Sequence, residues 1–261
     1  MPDPDRVVYR VKDRVATVTL SRPSKLNAMD RQTFAELQRA AARAAEDPEV
    51  GAVVVTGAGR AFSSGLDLAE FANMAQVDDG DEVVGELQRA ISAFELLPKP
   101  VIAAVNGLAV GGGLQLAIAC DLRVAAASAV FASWEMRWAI VPDLGGTERL
   151  PRLVGLGRAK ELVFTGRQLN AHEAERIGLV NRVVPDAELA QAVTDLAASL
   201  ASGPTLALGM AKQLLNEAFD RRVSDGLNAA RRAQRLTLAS ADHAEARAAF
   251  IERRPPRFTG R

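Results

Sequence analysis

The segment that most constrains the fold of this chain is a buried-strand run that breaks into a glycine-rich loop. Val101–Val105 is continuously apolar, Asn106-Gly107 interrupts it, and three consecutive glycines at 111–113 precede the apolar run Leu114–Ala119. The first run is typical of a buried strand, and the second can start a helix. A glycine turn between a strand and a helix exposes backbone N–H groups beside the positive end of the helix dipole. The segment therefore predicts either a site for an anion or a developing oxyanion, or a tight turn that only glycine can form.

Strands and helices alternate along the N-terminal part of the chain. The predicted strands are Val7–Tyr9, Val15–Leu20, Val50–Thr56, Leu122–Ala125 and Val130–Phe131. Asp30 is a good N-cap for an amphipathic helix whose inner face carries Phe34 and Leu37. A second helix is expected over Glu82–Leu97, after an acidic loop at Asp78–Asp81. This alternation favours an α/β fold with mostly parallel strand pairing.

Helical signals dominate after Asn170. The predicted helices are Ala171–Ile177, Ala187–Ala201, Thr205–Phe219, Val223–Ser240 and Asp242–Glu252, with one late strand at Leu179–Val184. A helical region rich in Ala and Leu buries its apolar faces on its own core or against a partner subunit.

Composition and charge exclude several functional classes. Lys+Arg and Asp+Glu each total 32, so the chain lacks the electrostatic footprint of a protein that binds nucleic acid or an anionic membrane. No apolar stretch approaches about 18 residues, so membrane insertion is not expected. Cys120 is the single cysteine, which excludes an intrachain disulfide and favours a cytoplasmic protein with reduced thiols. His172 and His243 are the only histidines and are predicted at the surface, so most Ser-His-Asp triads and His-based metal sites are excluded and no metal site is predicted.

Several motifs in a fixed order extend over nearly the whole chain. They are Ser21–Ala28, Val53–Gly57, Ala61–Asp67, Lys99–Gly107, Gly111–Gly113, Ala119–Asp121, Pro142–Thr147, Leu162–Gly166 and Ala174–Val180. With these motifs the chain resembles the crotonase superfamily of enoyl-CoA hydratases and isomerases. The resemblance implies an α/β fold with a spiral core of ββα turns over residues 1–197. It further implies a helical C-terminal region over residues 198–261 that drives trimerisation, as a homotrimer or a dimer of trimers.

The resemblance also implies an acyl-CoA thioester substrate, with no separate cofactor because coenzyme A is part of that substrate. The backbone N–H groups of Leu66 and Gly112 would form an oxyanion hole for the thioester carbonyl, and both lie on glycine-bearing turns. Side chains expected near coenzyme A are Arg22, Lys25, Ala28, Ser64, Asp67 and Leu68, with Arg253, Arg254 and Arg257 from the C-terminal tail.

The acid/base positions depart from the hydratase pattern. Hydratases of the superfamily use two glutamates, one just after the glycine run and one 20 residues later, where this chain has Gln115 and Glu135. Because an amide carries no titrating proton, the two-carboxylate arrangement is incomplete, and Gln115 is left to orient water or substrate. Asp143 stands where hydratases usually have glycine. In the dienoyl-CoA isomerase branch an Asp at this position works with the preceding Glu, although Asp143 is equally compatible with a turn or N-cap.

Three functions follow as hypotheses. The favoured one is an isomerase in which Glu135 and Asp143 move a C=C bond of a fatty acyl-CoA by proton transfer. The second is a true enoyl-CoA hydratase in which Glu135 acts with Asp143 or Gln115 holding the water. The third is a protein of another class, a non-catalytic acyl-CoA binder that has lost one glutamate.

Overall fold

The strands form two sheets in the computed structural model, which describes residues 5–70 and 80–260. Their bounds are β1 Val7–Lys12, β2 Val15–Leu20, β3 Ala52–Gly57, β4 Ala61–Ser63, β5 Val101–Val105, β6 Leu108–Val110, β7 Leu122–Ala126, β8 Val130–Ala132, β9 Leu169–Asn170 and β10 Arg182–Val184. The larger sheet has the order β1-β2-β3-β5-β7-β10, and the smaller has the order β4-β6-β8-β9. Pairing is parallel except between β1 and β2 and between β8 and β9.

The α-helices of the described residues pack around these sheets and extend beyond them. Their bounds are α1 Arg31–Glu46, α2 Gly80–Leu96, α3 Gly112–Ala119, α4 Gly146–Val154, α5 Leu156–Thr165, α6 Ala171–Arg176, α7 Leu189–Ala201, α8 Thr205–Asn216, α9 Val223–Leu238 and α10 Ala241–Glu252. Short 3₁₀ segments occur at Pro23–Lys25, Glu135–Trp138, Asp186–Glu188 and Ala218–Asp220. Within the described ranges, no helix is both long enough and apolar enough to cross a membrane.

The chain winds as a spiral in which each turn contributes one strand to each sheet. The pairs β3/β4, β5/β6 and β7/β8 follow one another, and within each pair the first strand joins the larger sheet and the second joins the smaller one. Every residue of β5 is buried, which explains why its sequence is continuously apolar rather than alternating. The predicted α/β fold with mostly parallel pairing is confirmed.

Helix α1 forms as its sequence predicts. The Asp30 carboxylate accepts a hydrogen bond from the Thr33 backbone N–H at 2.9 Å, and the Thr33 hydroxyl completes the capping box. Phe34 and Leu37 are both buried in the main core. The cap fixes the start of the helix, and the two apolar side chains fix the face that it turns to the sheet.

The division predicted between residues 197 and 198 falls inside α7. Leu189, Val193 and Ala197 of this helix pack with Val54 and Ile102 of the larger sheet, so α7 belongs with the core throughout its length. The helices that follow expose many large apolar side chains, including Leu215, Phe219, Val223, Leu227, Phe250 and Ile251. The division into a core and a separate C-terminal region stays a prediction.

Several local predictions differ from the structure. Strands β4 and β6 were not predicted, because each has only three residues, too few to show an alternating pattern. Helix α4 begins at a Gly-Gly pair and contains Pro151, so its sequence resembles a loop. The late strand is limited to Arg182–Val184, because only these residues pair with β7. Of the predicted acidic loop, residues 78 and 79 lie outside the described residues, whereas Gly80 and Asp81 belong to α2.

Glycines permit close backbone approach between the two sheets and α3. A Cβ atom at Gly107 would lie 2.1 Å from the carbonyl oxygen of Arg60, and one at Gly113 would lie 2.3 Å from that of Ser63. Gly111 instead has a φ of +54°, in the left-handed region. The glycine run is therefore required both for packing and for backbone conformation, and α3 starts directly against the loop that follows β4.

Replacing Gly107 with alanine is expected to lower the free energy of unfolding by about 1–3 kcal/mol, because the new Cβ overlaps a backbone carbonyl that cannot rotate away. Gly157 in α5 is the matched control, since a Cβ there meets no atom within 4 Å. Gly157→Ala should leave stability unchanged or raise it by up to about 1 kcal/mol. Urea unfolding followed by circular dichroism measures both variants, and equal stabilities would contradict the close approach at Gly107.

Candidate active site

A cavity of about 1050 Å³ lies where the loop after β4, the start of α3 and the turn before α4 meet. Most of the predicted site residues line it, namely Lys25, Ala28, Ser64, Leu66, Asp67, Leu68, Gly112, Gln115, Glu135 and Asp143. Arg22 and the three arginines of the C-terminal tail do not. The apolar wall is made by Val84, Leu87, Trp134, Trp138, Ile140, Val141 and Leu144. A cavity with an apolar wall and a few convergent polar groups is the usual form of a small-molecule site.

Two backbone N–H groups meet in this cavity. Leu66 follows Gly65, whose φ is +93°, and Gly112 is the first residue of α3. A Cβ atom at Gly112 would lie 3.5 Å from the backbone nitrogen of Leu66. Neither N–H donates a hydrogen bond to another described residue. The pair therefore has the geometry of an oxyanion hole, reinforced by the positive end of α3.

The Glu135 carboxylate is held beside the glycine loop by two hydrogen bonds. The side-chain amide of Gln115 donates to Oε1 at 2.8 Å, and the hydroxyl of Ser133 donates to Oε2 at 2.6 Å. Glu135 is only 5% exposed, and a Cβ on Gly111 would lie 3.7 Å from Oε1. The carboxylate is therefore fixed next to the place where the two free N–H groups would hold a carbonyl.

Gln115 is itself anchored from the other side. Its Oε1 accepts a hydrogen bond from the backbone N–H of Gly146 at 2.9 Å, at the start of α4. A Cβ on Gly146 would lie 2.8 Å from that of Pro142 and 3.0 Å from the Gln115 oxygen. Because its oxygen is taken by this N–H, the Gln115 amide must present its NH₂ group to Glu135.

The carboxyl groups that line the cavity are in contrasting electrostatic environments. Burial raises the pKa of Glu135 above its ordinary value, and the charge of Asp143 adds to this, while hydrogen bonds from Ser133 and Gln115 partly oppose it. Burial also raises the pKa of Asp143. At Asp67 burial acts in the same direction, but a backbone hydrogen bond and pairing with cations outweigh it and lower the pKa.

Asp143 does not act as the N-cap of α4. The N-cap is Gly145, and no side chain forms a cap hydrogen bond there. The backbone carbonyl of Asp143 accepts a hydrogen bond from Gln88 Nε2 at 2.7 Å, which ties the turn to α2. The turn is therefore held by main-chain contacts, and the Asp143 carboxyl remains available to the cavity that it lines.

Arg22 lies behind the cavity wall rather than in it. Its guanidinium pairs with Asp30 at 3.2 Å and with Asp67 at 3.0 Å, and it donates to the carbonyl of Ala28 at 2.7 Å. Lys25 also pairs with Asp67, at 3.3 Å, but its side chain is 57% exposed and lines the cavity. Arg22 thus neutralises Asp67 in this structure, and its contact with coenzyme A stays a prediction.

The remaining predicted contacts with coenzyme A are also untested. In the C-terminal tail, Arg254 forms ion pairs with Glu245 and Glu252. The contacts of Arg253, Arg254 and Arg257 with coenzyme A stay predictions. No group of three or more His, Cys, Asp or Glu side chains that could hold a metal ion occurs within the described residues.

Ser133 is a site residue that the sequence analysis missed. It lies directly after β8, it is 2% exposed, and its hydroxyl contacts Glu135 two positions later. A polar residue between the apolar strand Val130–Ala132 and Trp134 is the signal that was available. Buried hydroxyls need a hydrogen-bond partner, and the nearest charged side chain in sequence was Glu135.

Comparison with known proteins identifies the family of this chain. Residues 10–261 match the model of the enoyl-CoA hydratase/isomerase family. The chain is 38% identical over 252 residues to the short-chain-enoyl-CoA hydratase of Clostridium acetobutylicum, covering 96% of both chains. It is 37% identical over 259 residues to the 1,2-epoxyphenylacetyl-CoA isomerase of Escherichia coli, covering 98% of both. The crystal structure of enoyl-CoA hydratase from Bacillus anthracis superposes with a TM-score of 0.92 at 35% identity, covering 98% of this chain and 100% of that one. The chain therefore belongs to the enoyl-CoA hydratase/isomerase family.

Proposed function

We propose that this enzyme of the enoyl-CoA hydratase/isomerase family is an isomerase. It moves a C=C bond of a conjugated acyl-CoA by proton transfer between Glu135 and Asp143. The substrate is an acyl-CoA thioester, and the proposed reaction requires no separate cofactor because coenzyme A is part of that substrate. A cytoplasmic location, expected from the use of a single buried cysteine, Cys120, is part of the same proposal.

The observation that carries the proposal is the contrast among the carboxyl groups of the described residues that line the cavity. Asp67 is paired with Arg22 and Lys25, and its lowered pKa keeps it ionised. Glu135 and Asp143 have no cationic partner in these contacts, and both have raised pKa values. Carboxyl groups whose pKa is raised toward neutral pH are the ones suited to accept and donate protons.

The reaction balances without any other reactant. Glu135 takes a proton from the α-carbon, and the electron pair of that C–H bond spreads through the conjugated system to the thioester oxygen. The N–H groups of Leu66 and Gly112 stabilise the resulting charge. Asp143 then gives a proton to the far carbon of the chain as the double bonds shift. One carboxyl has gained a proton and the other has lost one, and the substrate keeps its composition. Proton exchange with solvent then returns both carboxyls to their starting states.

True hydration is the second candidate function, and the name of the Clostridium relative as a hydratase favours it. In this reaction Glu135 would take a proton from a water as its oxygen attacks the β-carbon. The electron pair of the C=C bond would move toward the thioester oxygen, and the same carboxyl would then return the proton to the α-carbon. Gln115 has one amide hydrogen beyond the one donated to Glu135, and that hydrogen can hold the water. The membership in an enzyme family disfavours the third hypothesis, a non-catalytic binder.

Two assays on the purified protein separate the candidates. One follows the loss of 2-enoyl-CoA absorbance as crotonyl-CoA and a longer homologue are hydrated, and the other follows conversion of a 3,5-dienoyl-CoA to its 2,4 isomer. We expect fast isomerisation with slow hydration. Fast hydration, with solvent ¹⁸O appearing at the β-carbon, would overturn the isomerase assignment in favour of the second candidate.

Substitution of the two proposed proton carriers should abolish most of the isomerisation. Glu135→Gln and Asp143→Asn are each expected to lower kcat by about 10²–10⁴, the usual contribution of a general acid or base. Asp67→Asn is not a suitable control because it would unpair Arg22, so thermal unfolding of both variants serves to exclude misfolding. Full activity of Glu135→Gln on every enoyl-CoA that the wild type converts would contradict the proposal.

The oxyanion hole can be tested without changing any titrating group. Gly112→Pro removes one N–H at the first residue of α3, where helices tolerate proline. A Cβ there would lie 3.2 Å from Met29 Cε, so the end of that flexible side chain must shift slightly. Loss of one such donor typically lowers kcat by about 10²–10³. Steady-state kinetics and circular dichroism of the variant check this expectation, and an unchanged kcat in a folded variant would remove Gly112 from the mechanism.

We also propose that the chain acts as a homotrimer or a dimer of trimers. Large apolar side chains such as Phe219, Val223 and Phe250 are 71%, 80% and 85% exposed on the C-terminal helices, more than an isolated chain normally leaves in water. Light scattering coupled to gel filtration should give a mass near three or six times 27.8 kDa. A mass of one chain at micromolar concentration would contradict this expectation.

A further inference from the structure

The hydrogen bonds around Glu135 all run in one direction. Gly146 N–H donates to Gln115 Oε1, Gln115 Nε2 donates to Glu135 Oε1, and Ser133 Oγ donates to Glu135 Oε2. The donor atoms lie 2.9, 2.8 and 2.6 Å from their acceptors. Each carboxylate oxygen therefore receives one donor from a buried side chain, and Glu135 donates to neither of them.

Gln115 cannot reverse its part of this arrangement. If its amide were turned over, its NH₂ group would face the N–H of Gly146 and its oxygen would face the ionised carboxylate of Glu135, so donor would oppose donor and acceptor would oppose acceptor. The Gly146 N–H also donates to the carbonyl of Pro142 at 3.1 Å. The Gln115 amide is consequently held as a donor toward Glu135 while that carboxylate is ionised.

The two oxygens of Glu135 are also inequivalent in position. Oε1 lies beside the glycine loop, 3.7 Å from where a Cβ on Gly111 would be, and that loop leads into the free N–H of Gly112. Oε2 is turned toward Ser133, which is 2% exposed. Oε1 is therefore the oxygen next to the carbonyl position, and its remaining lone pair is the one open to the α-carbon of a bound thioester.

We propose that Ser133 and Gln115 are positioning residues that hold Glu135 as the resting base, with Oε1 as the atom that accepts the substrate proton. This inference rests on the proposed function only in requiring Glu135 to titrate during turnover, and it applies to isomerisation and hydration alike. No side chain of the described residues donates to the Asp143 carboxylate, which receives a hydrogen bond from its own backbone N–H, and Asp143 is thereby left as the resting acid. Gln115 thus orients the catalytic carboxylate, and it is not proposed to bind the acyl-CoA.

The other charged groups near Glu135 could also affect its titration, and each has contacts of its own. Asp143 is the titrating group whose charge acts on Glu135 from the turn before α4. Asp67 and Lys25, which line the same cavity, are paired with each other. Arg137, on the 3₁₀ segment of Glu135, stacks on the ring of Trp134 and donates to the carbonyl of Gly166. A shift in the titration of Glu135 after a change at Ser133 is therefore attributable to the lost donor.

The test is the pH dependence of kcat/KM for Ser133→Ala, Ser133→Thr and Gln115→Met, measured with whichever acyl-CoA the wild type converts fastest. Removing a donor to the ionised carboxylate raises its pKa, so the acid limb of the profile should move up by about one pH unit in Ser133→Ala and in Gln115→Met. Ser133→Thr keeps the hydroxyl and should retain the wild-type limb. KM should change by less than about threefold, because neither side chain is proposed to bind substrate.

The outcomes separate this inference from the proposed function. If Ser133→Ala and Gln115→Met lose activity equally at all pH values, or only lose thermal stability, the two residues are structural and the inference is wrong. If Glu135→Gln remains active, the proposed function fails instead, whatever the profiles of the other variants. The proposed function and this inference are both supported if three results are obtained together. The acid limb of the pH profile is shifted in Ser133→Ala, it is at the wild-type position in Ser133→Thr, and Glu135→Gln is inactive.

Discussion

The contact between the first turn of α3 and the loop after β4 governs the geometry of the site. The backbone at Gly113 approaches the carbonyl of Ser63 so closely that a methyl group would lie 2.3 Å from it. That approach is possible only because glycine has no side chain, and it brings the N–H of Gly112 next to that of Leu66. The distance between the two donors is thus set by main-chain packing in a dense core, which resists small displacements.

On this rigid frame the cavity supports several electrostatic environments within a short distance. Asp67 is surrounded by Arg22 and Lys25 and stays ionised, so it contributes charge balance rather than proton transfer. Glu135 is buried but carries donors on both oxygens, whereas Asp143 is half-buried in a turn held by its main chain. Desolvation raises the pKa of a carboxyl and hydrogen bonds to its ionised form lower it. The balance of these two effects differs among the three carboxyls of the site.

Much of the fold and of the site could be predicted from sequence because the signals are local or come as ordered motifs. The apolar run of β5 and the capping box of α1 are examples of the first kind, and the matched family confirms the second. Strands of three residues such as β6 carry no period and were missed. Ser133 was missed because its importance depends on a contact, and a buried serine looks like any other in sequence.

Long-range contacts explain what local patterns could not supply. The bond between Gly146 and Gln115 joins residues 31 positions apart, and nothing in either segment indicates the other. Arg22 was expected near coenzyme A because of its charge and its motif. In the structure it pairs with Asp30 and Asp67, which come from two different parts of the chain. Whether a charge is available to a ligand depends on such partners, which only the folded chain brings together.

The hydrogen bond from Gln88 to the carbonyl of Asp143 has a mechanical consequence. Gln88 is on α2, which also contributes Val84 and Leu87 to the cavity wall. A helix moves largely as one body. Under the proposed function, an acyl chain that presses on Val84 or Leu87 would therefore also move the turn that carries Asp143. The length of the acyl chain would then affect the position of the second carboxyl, and with it the rate of the chemical step as well as binding.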